Sequence, residues 1–422
     1  MSWQVEKRSS TPWYLVTGVL LLAVLAALVV TGLIFWMYGT PPWQAYGLIF
    51  DALFTDFRSF SEVLRRMIPL LLCGVGLVLA FRAKFWNIGA EGQLLAGAVA
   101  ASGVALFVPL PAPLLLPTMF LAGFLAGALW GLLPALLKVK LGVNEIITTL
   151  MMNYIAFYIV QWLINGPWKG QSMRGFAYTD RFDSAARLPT LLGTRFHYPT
   201  LILGVLLAAL VTLLLARSKL GFEIRMMGAS PSAARYAGVN FLRTTIVLML
   251  IAGGAAGLAG VGEVAGIHGR LVGPYDVALG YGYTAIIVAL LARRNPLGAI
   301  VSALFLGFVF AAGDIIKVTL RLPFQITDVI SGLVLFFLIC SEPLIQYRLK
   351  WLRDDSSTPT EPSSTHNNAS TNVNTSTSTS TSTSAASSSI AGSTSSSVTN
   401  NVASNAASNV TSNINAGSKH GT

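Results

Sequence analysis

RSKLGFEIRMMGASPSAARYAGVNFLR, residues 217–243, lies between apolar stretches near the middle of a long hydrophobic region. It carries Arg217, Lys219, Arg225, Arg235 and Arg243 against a single acid, Glu223. Such a basic loop between two membrane spans marks the cytoplasmic side. Ser230 and Pro231 form a helix start, a Ser cap followed by Pro at the first helical position. A short helix over 232–237 is therefore expected, with Gly238 and Asn240 as stop signals. Gly228, Ala233, Ala234 and Gly238 keep its surface small, and Arg225 and Arg235 offer charge-assisted contacts, which suits docking into a partner's groove. An ordinary connection between helices is the plainer reading of the same residues.

The composition around this loop is that of a membrane protein. Of 422 residues, 54 % are hydrophobic and 11 % charged, with a mean hydropathy of +0.65; a soluble domain carries about 25 % charged residues. The net charge of +11 does not point to nucleic acid, because the bases sit beside apolar spans where they fix orientation. Cys73 and Cys340 both fall inside apolar runs, and the histidines at 197, 268, 366 and 420 are scattered. Neither set makes a disulfide framework or a metal site.

Trp13 to Trp36 has no charge, follows Lys7 and Arg8, and is long enough to cross about 30 Å of hydrocarbon. It reads as an uncleaved first span with its N-terminus inside. An interfacial helix is expected outside at 42–54, where Trp43 and Tyr46 suit the headgroup region. Further spans are expected at about 61–81, 86–107, 112–137, 143–164, 198–216, 244–262, 281–292, 296–314 and 325–342. This gives ten spans with both termini cytoplasmic, and places Arg82 and Lys84, Lys138 and Lys140, and Arg293 and Arg294 in short inside loops. From Asp354 the chain turns to Ser, Thr, Asn and Ala, too poor in apolar groups to fold. Residues 1–353 are read as the membrane domain and 354–422 as a disordered appendage whose removal should leave the membrane domain working.

Two features point to broken helices. The span at 281–292 is too short to cross the bilayer at 1.5 Å per residue and follows the glycine-rich approach GIHGRLVGPYDVALGYG. NIGAEGQ at 87–93 likewise sets glycines and a carboxylate at the start of a span. Paired glycine-interrupted segments in two repeated halves are how transporters build discontinuous helices near a binding site; close helix packing is the simpler use of such glycines.

Polar residues within spans face protein or water rather than lipid. Glu145, Thr149 and Asn153 recur at helical spacing on one stripe. Asn87, Glu91 and Gln93 form a second group, with Tyr281, Tyr283 and Gln325 as counterparts further on. These nine are the candidate lining of a substrate path, and hydrogen bonding between helices accounts for them equally well. Glu91, the carboxylate set most deeply, is also the one candidate for carrying a proton. No Walker A pattern, no hydrolase or metalloprotease motif and no cofactor signature occurs, so enzymatic chemistry has no candidate residues. An energy source, if nucleotide hydrolysis, must sit on another chain.

GFEIRMMGASPSAARYAGVN resembles the cytoplasmic coupling loop of ABC transporter permease subunits of the ribose, nucleoside and branched-chain amino-acid group. FRAKFWNIGAEGQLLAGAVAA at 81–101, LGVNEIITTLMMNYIA at 141–156 and GYGYTAIIVALLARRNPLGA at 280–299 agree in order, and are more similar to the sugar and nucleoside permeases than to the amino-acid ones. The resemblance implies an all-α polytopic fold with an internal repeat. It also implies a pair of ABC ATPase subunits docked at the central loop, a second permease subunit, and an extracytoplasmic solute-binding protein that meets the basic outer stretch 165–197. Membrane lipid surrounds the whole. The expected activity is import of a nucleoside first or a simple sugar second, by alternating access. The rivals are a branched-chain amino-acid permease, an ion-coupled carrier, and a membrane receptor without transport.

Overall fold

The computed structural model describes residues 2–8, 12–171, 175–191, 193–319 and 324–352. The Ser/Thr/Asn-rich stretch 354–422 lies outside the described residues. Apolar runs become helices in chain order: α1 (Trp13–Met37), α2 (Pro42–Phe54), α3 (Phe57–Arg82), α4 (Ala90–Phe107), α5 (Ala112–Leu141), α6 (Glu145–Asn165) and α7 (Tyr198–Arg217). Two short helices follow, α8 (Lys219–Ala229) and α9 (Pro231–Tyr236), then α10 (Phe241–Gly262), α11 (Pro274–Ala278), α12 (Tyr281–Leu291), α13 (Gly298–Thr319) and α14 (Phe324–Gln346). Nine helical segments among the described residues are long and apolar enough to cross a membrane; the tenth expected span falls on α14, whose apolar part is Gly332–Ile345. The chain is thus a multi-pass, all-α membrane protein. Among the described residues one strand pair occurs, a short antiparallel ribbon of β1 (Ser2–Lys7) against β2 (Tyr347–Leu352), which brings the two ends of the described chain together.

Local chemistry sets the boundaries. The side chain of Asn144 accepts from the Ile146 amide at 2.9 Å and starts α6, after Gly142 in the left-handed region ends α5. Lys138 then pairs with Glu145 at 2.6 Å, closing that hairpin. Ser218, Ser230 and Asn240 cap α8, α9 and α10 in turn. The sequence misses α8, which continues the span α7 beyond a single extended residue, Ser218.

Four helices form the centre: α3, α4, α5 and α10. In a membrane, helices associate through close packing rather than water exclusion, so small residues fill the seams. A Cβ on Gly257 of α10 would lie 2.2 Å from the Gly123 carbonyl oxygen of α5, and one on Gly97 of α4 would lie 2.3 Å from the Gly257 carbonyl oxygen. Three backbones therefore meet at Gly257. A separate, smaller core joins α1, α2, the first turns of α3, α13 and α14 around Phe35, Leu53, Val63 and Ile316.

Two segments interrupt the helical order. Residues 83–89 run without helix between α3 and α4, and α11 breaks from α12 at Leu279 and Gly280, both in the left-handed region. The discontinuous helix expected near 281 is present, and α10 widens into a π-helical turn over Glu263–His268.

A polar junction at the broken helix and the aromatic face beside it

Residues 87–89 and the first turn of α4 that follows are held in place by side chains. Asn87 accepts from the Gly89 amide at 2.9 Å, and its amide group exchanges hydrogen bonds with Gln93 at 3.1 and 3.2 Å. On the adjoining face of α6, Thr149 accepts from the Ile88 amide at 3.2 Å and Asn153 accepts from the Gly92 amide at 2.9 Å. Asn153 also donates to the Ile88 carbonyl at 2.9 Å and to the Tyr283 hydroxyl at 3.1 Å. One asparagine thus joins α4, α6 and α12.

Glu91 completes the junction. Its two carboxylate oxygens accept from the Gly280 amide at 3.0 Å and the Gly282 amide at 2.6 Å. Those amides are the free donors at the start of α12, where a negative charge is favoured. Gly282 is required there, because a Cβ would fall 2.2 Å from the Glu91 backbone nitrogen. The helix starts of α4 and α12 meet at this carboxylate. Nine residues separate Gly282 from the end of α12, about 14 Å of helix, or roughly half the hydrocarbon thickness. With both oxygens committed, Glu91 acts as a cap for the broken helix.

The structure therefore brings Asn87, Glu91, Gln93, Thr149, Asn153 and Tyr283 together and places Tyr281 and Glu145 elsewhere. Tyr281 is fully buried and accepts from Arg66 of α3 at 2.8 Å, and Arg66 also pairs with Asp314 of α13. Glu145 belongs to the α5–α6 corner. The side chain of Gln325 lies outside the described residues. Of the junction side chains all but Tyr283 are buried; Tyr283 is 40 % exposed.

Tyr283 borders a face that the sequence reading misses. Tyr154, Tyr158 and Trp162 are exposed at successive turns of α6 and line an open groove with Ile155 and Ile159. Exposed Tyr275 of α11 packs its ring edge-to-face on Phe157 at 4.6 Å. The spacing of Tyr154, Tyr158 and Trp162 in the sequence marks this stripe, displaced by one residue from the Asn153 stripe.

At the central loop, the structure divides the six candidates. Ala233, Arg235 and Gly238 are exposed and Arg225 half-buried, with Arg235 lying over the Phe241 ring at 5.4 Å. Gly228 and Ala234 face inward: a Cβ on Gly228 would collide with the Arg82 carbonyl oxygen, and Ala234 is fully buried. These two fix the loop to the body of the chain rather than presenting a surface. Tyr236, which the sequence reading passed over, is 98 % exposed.

Comparison with known proteins agrees with this architecture. Residues 59–339 match the family described as branched-chain amino acid transport system / permease component. The glucose ABC transporter permease protein TsgB13 of Haloferax volcanii is 37 % identical over 82 % of this chain and 93 % of its own length. The guanosine ABC transporter permease protein NupP of Bacillus subtilis is 30 % identical over 76 % and 92 %, and the nucleoside ABC transporter permease protein NupB of Lactococcus lactis is 30 % identical over 75 % and 89 %. A second permease protein from each of the first two organisms, TsgC13 and NupQ, also matches, at 29 % and 27 % over 57 % of this chain. No solved structure matches. The chain belongs to the branched-chain amino acid transport system / permease component family, as a permease subunit of the ABC transporter type.

Proposed function

We propose that this chain forms half of the translocation path of an ABC importer for a neutral, hydroxyl-rich solute, a simple sugar or a nucleoside. The observation that carries the reading is the aromatic face of Tyr154, Tyr158, Trp162, Tyr275 and Tyr283 beside the polar junction. Pyranose rings and nucleobases both stack on such faces, while the part-exposed Tyr283 hydroxyl, which accepts from Asn153, keeps its own proton to donate to a solute oxygen. A zwitterionic amino acid would favour a charged pair or a free helix end, and the α12 start is already occupied by Glu91. The sequence reading ranks nucleosides ahead of sugars; the higher identity to the permease named for glucose favours the sugar arm.

In this reading a second permease subunit, identical or paralogous, supplies the other half of the path. The pairing of permeases in the relatives' organisms supports the paralogous form. ATPase subunits dock on α8 and α9, both termini lie in the cytoplasm, and an external binding protein delivers the solute. Residues 354–422 form an appendage to the membrane domain. The complex, reconstituted with its ATPase and binding protein, is expected to take up labelled glucose or guanosine. Uptake of leucine with no uptake or competition by either would show the solute assignment to be wrong.

A further inference from the structure

Tyr281 and Tyr283 stand two residues apart on the first turn of α12, and helical geometry sets them roughly 200° apart about its axis. Tyr281 is fully buried in the bundle, whereas Tyr283 is part-exposed beside the aromatic face. The two side chains are opposite arms of one lever. Any turn of the helix about its axis that moves one moves the other.

The break permits such a turn, because Leu279 and Gly280 are both left-handed and no continuous helix ties α12 to α11. Further along, α12 is fixed by packing: a Cβ on Gly74 of α3 would lie 2.7 Å from the Val288 side chain. Its start is fixed by polar contacts. Glu91 takes the Gly280 and Gly282 amides, and since helix amides point along the axis this contact sets the height of the helix. Rotation is held from the other side, where Arg66 of α3 donates to the Tyr281 hydroxyl at 2.8 Å. Arg66 is itself oriented, because its second terminal nitrogen pairs with Asp314 of α13 and the guanidinium is a planar, rigid fork. Phe310 of α13 meets the Tyr281 ring edge-on at 6.4 Å. The buried arm of the lever is thus clamped between α3 and α13.

We propose that Arg66 is a positioning residue for solute passage: by holding the Tyr281 hydroxyl it sets the rotation of α12, and with it the place of Tyr283 on the solute path. The proposal rests on the transport reading above. Arg66 acts through Tyr281 and not by contact with solute. A lysine at this position would keep a charge for Asp314 but lose the fork that serves both partners at once.

The test uses the full complex with ATPase and binding protein in proteoliposomes. Tyr281→Phe removes only the hydroxyl and leaves the ring in the core. It is expected to lower uptake of labelled glucose and guanosine by about tenfold, an ordinary coupling within one hydrogen-bonded network. In the Y283A background, with no ring left to position, Y281F should cause no further loss. A merely structural Tyr281 would lower uptake by the same factor with or without Tyr283; that result, or normal uptake by Y281F, would overturn the proposal. A second measurement reads position without transport. Y283C, in a chain whose exposed Cys340 is replaced by Ser, is labelled with a maleimide. Adding Y281F or R66K should change the labelling rate severalfold, and an unchanged rate with either would overturn the proposal. Y281F leaves Arg66 and Asp314 in place, so it keeps the test readable if R66K fails to insert. Where Y283A leaves no uptake to lower, the labelling rates decide. Wild-type complex that takes up neither solute would contradict the transport reading alone, and the labelling rates would still show whether Arg66 sets the place of residue 283.

Discussion

Glu91 and Gly282 are 191 residues apart in sequence, yet the carboxylate of one accepts the backbone amide of the other at 2.6 Å. This contact turns a break in a membrane helix into a defined junction. Without it the first amides of α12 would face a low-dielectric interior with no acceptor. The neighbouring Gly280 amide, at 3.0 Å, uses the other oxygen, so one side chain satisfies two amides at the start of α12.

Replacing Glu91 by Ala should therefore destabilise the protein by about 1–3 kcal/mol, the range for a buried donor left unsatisfied. Glu91→Gln, which keeps one acceptor oxygen, should lose less. Thermal unfolding in detergent checks this. An E91A protein as stable as wild type would mean that the α12 start does not depend on the cap.

The seam at Gly257 makes a second expectation. Gly257→Val places carbon atoms where the Gly123 carbonyl lies 2.2 Å from the new Cβ, so α5 and α10 must separate. Overpacking of this kind costs about 1–3 kcal/mol or more. The variant should show a lower melting temperature and reduced yield from the membrane, whereas the same change at Gly18, where nothing lies within 4 Å, should be tolerated.

For the central loop, the exposed side chains of α9 are the ones to alter. Ala233→Trp or Tyr236→Ala should weaken ATPase association, the latter by about 2 kcal/mol, near thirtyfold, if Tyr236 is an anchor of ordinary strength. Ala234→Trp should instead impair folding, since that residue is buried. Co-purification of ATPase at normal stoichiometry with both A233W and Y236A would remove α9 from the interface.

His197 makes the stability pH-dependent. It precedes α7, and burial, aided by Arg65, holds its pKa down to about 4 from the usual 6.5. The folded chain keeps the ring neutral while the unfolded chain takes up a proton below pH 6.5. Stability is therefore full above pH 6.5 and falls as the pH drops from 6.5 to 4, by roughly 3 kcal/mol across that window. His197→Gln should flatten this part of the profile. A profile identical to that of wild type would place His197 in contact with water.

Most of the fold was legible because each signal was local. Pro42, with Trp43 and Tyr46 behind it, places α2 at the observed bounds, and Ser230 with Pro231 starts α9 where expected. The helix α8 was missed because its charges resemble those of a loop, although Ser218 is a regular cap. The candidate site was legible only as stripes. Helical spacing shows that Thr149 and Asn153 share a face, but not that this face grips the 87–93 segment. Nor can spacing pair Glu91 with an amide on another span, or show that Ala234 points inward. The aromatic stripe at Tyr154, Tyr158 and Trp162 has the right period, and was overlooked because aromatic residues are common at the lipid boundary.

The central claim is that this subunit passes solute only when a separate ATPase turns over. Uptake of labelled glucose or guanosine into vesicles holding the whole complex tests it most directly, with and without ATP and with ionophores that collapse proton and sodium gradients. The account predicts uptake that requires ATP and the ATPase subunits and survives the ionophores. Uptake by this chain without any ATPase, abolished when the gradients collapse, would contradict it.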